Sequence, residues 1–202
     1  MERIIRYPAI EPKQHIGDEQ FMDAEGYPLS SLLEFWRWAY SDLIGNTGRG
    51  MIAEYLVACA LGISKEPRIS WGSYDLKSRE GIRIEVKTPG YIQTWGQEEL
   101  SKISFGIQKT HGWDNETNKS DSELKRQADV YIFCVHKHTN QDTINPLDVL
   151  QWDFYILSTK VLDKECGNQK TISLKGIKKI GAVKCEYEQL YEKIVAAFDS
   201  QR

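Results

Sequence analysis

Between Tyr74 and Thr88 the chain reads as two strands joined by the loop Arg79-Glu80-Gly81, and this hairpin constrains the fold more than any other segment. A three-residue hairpin loop favours a left-handed residue at its end, which Gly81 supplies. The register then pairs Ser78 with Ile82, and counting outward sets Asp75 opposite Glu85. Directly opposite residues have Cβ atoms roughly 4.5–5.5 Å apart. Side chains alternate along a strand, so Arg83, Glu85 and Lys87 share one face and Ile82, Ile84 and Val86 the other. One face can therefore enter a core while the other carries two facing carboxylates with an ammonium one step along. Like charges set opposite one another destabilise a sheet. A divalent cation held by oxygen ligands is the expected counter-ion.

Upstream of the hairpin, residues 1–28 carry Pro8, Pro12 and Pro28 with few periodic apolar positions, and read as an extended arm. Ser30 or Ser31 can cap a helix through SLLEFWRWAYSDLI that ends near Gly45. A second helix is expected from about Thr47 to Leu61, capped by Asn46 or Thr47, with Gly62 just past its end. A short strand can precede the hairpin at 68–71. Residues 91–108 alternate between helical patches and the glycines Gly96 and Gly106, and the polar run 109–122 reads as a surface loop. ADVYIFCV (128–135) and DFYILST (153–159) are apolar runs of buried-strand type. A short strand at 171–174 and an amphipathic helix at about 186–199 complete a mixed α/β chain.

With 202 residues, there is enough chain for one well-buried core, and two full domains would be a squeeze. Six Trp and ten Tyr argue for a large core or a stacking surface. The formal charge of −3 means that any nucleic-acid contact must come from a local patch. No apolar run approaches the roughly 20 residues that span a bilayer, and MERIIRYPAIEPK lacks a signal peptide's apolar stretch. The expectation is a cytoplasmic protein without a membrane segment. Cys59, Cys134, Cys166 and Cys185 are scattered with no C-x-x-C pair, which disfavours a zinc ribbon.

The order helix, hairpin, helical segment, buried strand, with Asp75…Glu85-x-Lys87 on the hairpin, resembles the PD-(D/E)XK nuclease superfamily. The likeness spans roughly residues 46–136. It is also similar to an uncharacterised bacterial group that continues through Gln-Ala-Asp-Val (127–130) and Leu-Gln-Trp-Asp-Phe-Tyr (150–155). Tyr74 stands where many superfamily members have Pro, and the gap from Asp75 to Glu85 is short. The resemblance implies a restriction-endonuclease-like α/β fold, a central mixed β-sheet flanked by helices. It also implies one nuclease-like domain over 1–202, its core at about 46–160 behind the arm 1–28.

The same resemblance implies a Mg²⁺-dependent nuclease acting on DNA, with Mn²⁺ able to substitute and a role in defence or repair. Asp75 and Glu85, with the backbone carbonyl of Val86, would hold the metal, because Mg²⁺ takes hard oxygen ligands. Lys87 would orient the attacking water and neutralise growing charge. Glu54 sits on GMIAEYLVACAL, a helix apolar nearly all round, where an unpaired charge is expensive. It matches the superfamily's helix-borne Glu and would complete the metal shell. Gln93 follows the hairpin where some nucleases of the superfamily carry a Gln, and would either support the metal ligands from behind or contact the substrate.

Trp95 is either a base-stacking residue or, more in keeping with its type, a core residue. Arg126, with Lys102, Lys109 and Lys125, could grip phosphates, against the plainer reading of surface charge. Cutting both strands of a duplex would take two sites, so a homodimer is one expectation. Three other patterns point less far. GNTGRG (45–50) fits neither common phosphate-binding loop, and Cys134, His136 and His138 share a strand face without a fourth ligand. No nucleophile elbow appears. The rival from another class is a catalytically silent nucleic-acid-binding or protein-interaction module of the same fold, which would have no reason to keep Asp75, Glu85 and Lys87 together.

Overall fold

A computed structural model describes residues 7–114 and 116–201. Residues 1–6 of the expected arm lie outside the described residues. In chain order the described residues form β1 (Gln20–Met22), β2 (Pro28–Ser31), α1 (Leu32–Tyr40), α2 (Asn46–Ala60), β3 (Leu76–Lys77), β4 (Arg83–Lys87), β5 (Ser104–Gly106) and β6 (Thr110–Asp114). There follow β7 (Lys119–Lys125), β8 (Val130–His136), β9 (Trp152–Ser158), α3 (Thr159–Cys166), β10 (Thr171–Ser173), α4 (Leu174–Lys179), β11 (Val183–Cys185) and α5 (Leu190–Asp199).

The central sheet runs β11-β9-β8-β4-β3. Strands β4 and β8 are parallel and the other neighbours antiparallel, so the sheet is mixed, as expected. Every residue of β8 is buried. Its two-residue period sends Val130, Ile132 and Cys134 to one face and Tyr131, Phe133 and Val135 to the other. Helices α2 and α5 cover the first face through Ala53, Val57, Leu190 and Ile194. Helices α3 and α4, with β5 and β10, cover the second through Leu162, Ile177, Phe105 and Ile172. Each fully buried large apolar side chain contributes roughly 1.5–3 kcal/mol. This doubly covered sheet therefore holds the fold, and the charged hairpin is carried on its edge.

The hairpin takes the expected turn: Gly81 has φ +87°, and Ser78 N–H donates to the Ile82 carbonyl at 2.9 Å. Leu76 pairs with Ile84 and Lys77 with Arg83. At Asp75 the ladder departs from the expected register. Its N–H donates to the Ile84 carbonyl at 3.0 Å, the oxygen that a straight ladder offers to Leu76. Asp75 thus ends β3 and does not stand as a cross-strand partner of Glu85.

Elsewhere several expectations are corrected. Helix α1 stops at Tyr40, capped at its start by Ser31 and Glu34 in a reciprocal box, because Asp42 then folds the chain back. The Asp42 carboxylate accepts from Gly45 N–H at 2.8 Å, and a Cβ on Gly45 or Gly48 would collide with Asp42. Gly45, not Asn46 or Thr47, caps α2, without a side-chain bond. The arm contains a hairpin, β1–β2, and 68–71 is not a strand.

Residues 91–103 hold no helix, because the Gln97 side chain satisfies Gln93 N–H (2.7 Å) and the Tyr91 carbonyl (3.1 Å) in its place. The polar run 109–122 is largely strand, in the hairpin β6–β7, turned by Asp114 Oδ1 accepting the amides of Glu116 and Thr117. Among the described residues no helix is long and apolar enough to cross a membrane.

Candidate active site

Strand β4 extends beyond the end of β3, which leaves one of its backbone edges open past Ile84. Asp75 fills the first part of that gap with its side chain. Its Oδ2 accepts from Val86 N–H at 2.7 Å. N–H and C=O groups of one strand residue point to the same edge, so the Val86 carbonyl faces the Asp75 side, away from β8. Glu85 and Lys87 project from the opposite face to Ile84 and Val86, and Lys87 Nζ lies 2.5 Å from Glu85 Oε1. Beside them on β8 stand Tyr131 and Phe133, their register partners.

Glu54 reaches the same edge from α2, whose Ala53 and Val57 pack under β4. Its carboxylate is mostly shielded and is gripped by the Arg68 guanidinium through Nε (2.5 Å) and Nη2 (3.0 Å). The Glu54 charge thus has a partner, drawn from the loop before the hairpin. Asp75 feels the charges of both Glu85 and Glu54. Burial is the largest cause that pushes its pKa up, to about 6, and the Glu85 and Glu54 charges add to it; the Val86 amide and the Lys87 ammonium oppose them. The Arg68 guanidinium is held above its usual pKa by Glu54, with attraction to Asp75 contributing. Among the described residues no three His, Cys, Asp or Glu side chains form a ready metal cage.

A cleft of about 910 Å³ opens beside this edge. Asp75 and Glu54 are in its wall with Arg68, Lys77, Trp71 and Trp113. Asp75 and Glu54 are therefore reached from a concave surface large enough for part of a polymer, whereas Glu85, Val86 and Lys87 do not line it.

The remaining candidates fall elsewhere. Gln93 is buried and turned inward, donating to the Gly90 carbonyl (2.9 Å) and Ser101 Oγ (3.1 Å) while accepting from Arg49 Nη1 (3.3 Å). Trp95 is exposed, so the core reading of it is corrected: the glutamine-stitched loop holds it outward. Arg126 is buried against the Ile107 carbonyl (2.8 Å) and Asp163 (2.5 Å), packed with the second core cluster. A guanidinium so enclosed has no face for a phosphate, which removes it from the substrate contacts. Lys125 pairs with Asp121 and Glu123. Cys134 lies in the core, His136 packs edge-on to Trp152, and His138 bonds Thr143, so these three do not converge. Burial and the Arg49 charge hold His136 at a pKa of about 4.

Sequence reasoning misses Arg49 and Arg68. Arg49 is 2% exposed and bonds the Ile44 carbonyl (2.6 Å), Asn46 Oδ1 (2.5 Å), the Thr88 carbonyl (3.3 Å) and Gln93 Oε1 (3.3 Å). It fastens the start of the Glu54 helix to the end of the Lys87 strand. A Cβ on Gly90 would lie 3.2 Å from its guanidinium. Gly48 in GNTGRG and the Pro-Gly after Lys87 are the signals that could have found it, since each marks a close approach.

A family model described as bacteriophage T4 endonuclease IV matches residues 31–176, more than two thirds of the chain. The matched span runs from the cap of α1 into α4 and takes in Glu54, Asp75, Glu85 and Lys87. No curated protein matches the sequence.

Proposed function

This chain belongs to the bacteriophage T4 endonuclease IV family, and on that premise we propose that it hydrolyses DNA phosphodiester bonds with Mg²⁺ at the open edge of β4. The arrangement proposed is that of the PD-(D/E)XK nucleases. The observation that carries it is Asp75, a carboxylate drawn up to a pKa of about 6 by burial and by two neighbouring carboxylates, in the wall of a cleft. Perturbed titration in a cleft is a mark of functional sites.

The residues fit the metal. Mg²⁺ is commonly held by one or two carboxylates with waters and substrate phosphate oxygens, so a ready cage of three is not required. Asp75 and Glu85 would hold it with the Val86 carbonyl, and Glu54 would hold it through water. When bound it supplies Lewis acidity to the scissile phosphate and acidifies a water. The Lys87 ammonium, released from Glu85, would orient the attacking water and offset negative charge growing on the phosphate. Arg68 holds the Glu54 carboxylate in place. Arg49 holds α2 against the end of β4, so that Glu54 and Lys87 keep their spacing.

Lys87→Ala should lose cleavage of plasmid DNA in Mg²⁺ or Mn²⁺ by at least about 10²-fold while keeping the parent's circular dichroism. A variant with full metal-dependent cleavage would remove Lys87 from the chemistry. Crystals soaked in Mn²⁺ should show density between Asp75 and Glu85, and an empty position at high Mn²⁺ would count against the metal.

One observation favours a second reading. Lys87 already neutralises Glu85 and Arg68 already neutralises Glu54, so the site can stand without a cation. A silent DNA-binding module would bind DNA equally with and without Mg²⁺ and never cut it.

A further inference from the structure

The cleft beside Asp75 is a poor surface for a long polyanion. Its wall carries five carboxylates against three cations, and one of those cations, Arg68, is already held by Glu54. Positive charge is gathered elsewhere in the chain. Residues 100–113 hold Lys102 and Lys109 without a carboxylate. Residues 166–185 hold Lys170, Lys175, Lys178, Lys179 and Lys184, again without one. With these seven lysines set aside, a chain of net charge −3 stands at −10.

Folding brings the two segments together. Strands β5 and β10 pair as a ribbon, with Gly106 opposite Thr171, Phe105 opposite Ile172 and Ser104 opposite Ser173. Leu174 N–H then donates to the Ile103 carbonyl (3.4 Å), and Ile107 N–H to the Lys170 carbonyl (2.8 Å). Lys102 and Lys175 therefore flank one end of the ribbon and Lys170 the other. Phe105 and Ile172 are buried, while the outer face is Ser104, Gly106, Thr171 and Ser173, all exposed. Helix α4 follows directly, with Ile177 buried on its inner side. Lys178 and Lys179 lie three and four residues after Lys175, so the three share its outer side.

Like charges so placed on a helix destabilise it, and no carboxylate relieves them here. Lys87, Lys125, Lys137, Lys164 and Lys193 each pair with an acid. Among the described residues Lys102, Lys170, Lys175 and Lys179 have no ion pair, and Lys178 has only the face of Tyr155, 5.2 Å away. Acids on neighbouring elements are engaged: Asp163 by Arg126, and Asp153 by Lys137 and Lys184. Glu98 and Glu99 bound the basic surface beyond Lys102.

The occupant that fits is a phosphate backbone. Residues 101–112 and 167–182 expose no large apolar side chain of the kind that anchors a protein partner. Small hydroxyl side chains and a glycine let a phosphate come close, and Ser, Thr and Lys all donate to phosphate oxygens. The ribbon is three residue pairs long, about 10 Å, which matches the axial rise of about three phosphates on one strand. Phe105 packs edge-on to Phe133 with ring centroids 4.6 Å apart, and Phe133 is the register partner of Lys87. The ribbon thus covers the face of the sheet from which Glu85 and Lys87 project.

We propose that the β5–β10 ribbon and the outer side of α4 bind the phosphate backbone of the DNA substrate next to the cleavage site. This rests on the nuclease reading for the identity of the polyanion, and it deepens that reading by naming the surface on which the DNA lies. The lysines are binding residues and take no part in bond breaking. Phosphate contacts of this kind read no sequence.

The test is binding in EDTA, kept apart from metal-dependent cleavage. Labelled duplex DNA is titrated by anisotropy with the full-length protein across about 50 to 200 mM salt. The triple variant Lys102→Gln, Lys170→Gln, Lys175→Gln should weaken binding about 10- to 100-fold near about 0.1 M salt. Its plot of log affinity against log salt should be shallower by about 0.9 for each lysine removed. The same three positions changed to Arg should stay near the parent, because the charge is kept. A control triple of equal charge change on other elements, Lys13→Gln, Lys119→Gln, Lys193→Gln, should also stay near the parent.

A parent-like salt slope in the ribbon triple, or an equal loss in the control triple, would overturn the proposal. A matching loss in the Arg triple would mean a structural role for these positions and would overturn it too. Cleavage of DNA by the parent in Mg²⁺ is measured in parallel. Cleavage without ribbon-dependent binding sinks this inference alone, and ribbon-dependent binding without cleavage sinks the nuclease reading alone.

Discussion

Two aspartates reach for the backbone of the same strand from its two ends, and their environments have opposite signs. Asp129 accepts Arg83 N–H at 2.9 Å, and Asp75 accepts Val86 N–H at 2.7 Å. Asp129 is also clasped by the Arg83 guanidinium at 3.1 and 2.5 Å. Burial pushes its pKa up, but Arg83's hydrogen bonds and charge outweigh that and hold it below the usual carboxylate value. Asp75 has the same backbone bond without such a clasp. Its nearest charges are Glu85 and Glu54, and the cations close by are bound to those glutamates. One end of β4 is electrostatically closed, and the other is left short of positive charge beside an open cleft. A lock needs the first arrangement, and a site that receives a cation or a phosphate needs the second.

The largest expected effect separates the two ends by activity. Asp75→Asn should lower Mg²⁺-dependent DNA cleavage on the order of 10²–10³-fold. Asp129→Asn, normalised to folded protein, should stay near the parent. Plasmid nicking assays on both variants check this, and equal losses would erase the functional distinction between the two ends.

The next effect concerns stability of the metal-free protein against pH. Asp75 has a folded-state pKa of about 6, above its ordinary value of 3.8. The native state therefore binds this proton more tightly than the unfolded chain, and stability is lost as pH rises from about 4 to beyond 6. Asp75→Asn should be more stable than the parent at pH 8 by on the order of 2–3 kcal/mol, with the gap closing near pH 4. Urea unfolding in EDTA across that range measures it. Divalent metal should then stabilise the parent at pH 8 and lose its effect on acidification through pH 6, where Asp75 takes up a proton.

Part of this contrast is legible in the amino-acid sequence. Gly81 and the strict alternation of 82–87 reveal the hairpin and its charged face, and the apolar runs become β8 and β9 because buried strands leave a compositional signature. The position of Asp75 is not legible. A register counted outward from a turn assumes the ladder persists, and here it ends two residues into β3. Hairpin β6–β7 escapes notice because its residues are mostly exposed on both sides, so no period separates a core face from a solvent face. Arg49 and Arg126 are missed or misread for a common reason. A guanidinium is ordinarily at the surface, and only the fold shows the carbonyls that let it be buried.

The closed end offers the third test. Asp129→Ala strips Arg83 of its partner and leaves its amide without the carboxylate, which should cost about 2 kcal/mol, since charged hydrogen bonds are lost but Arg83 remains partly exposed. Here the pH dependence reverses. A carboxyl held low stabilises the native state above its unfolded value, and that contribution fades as pH falls through its folded one. The gap between parent and variant should be widest near neutrality and shrink toward pH 3, opposite in sign to Asp75→Asn.

The smallest effect would sharpen the open end. Arg68 binds Glu54, and its charge also draws on Asp75 across the cleft. Arg68→Gln removes that attraction, leaves Glu54 without its clasp, and so makes the surroundings of Asp75 more negative. The Asp75 midpoint should move further above about 6 in the variant. The acid limb of the cleavage profile should shift to higher pH with it; a shift of about half a pH unit lowers the rate about 1.5-fold near pH 6.5 and about 3-fold below pH 5.5. At pH 9, where Asp75 is ionised in both proteins, the rates should converge. Persistent loss at pH 9 would instead make Arg68 a direct contact to the DNA, and an unchanged acid limb would mean that Asp75 does not set it.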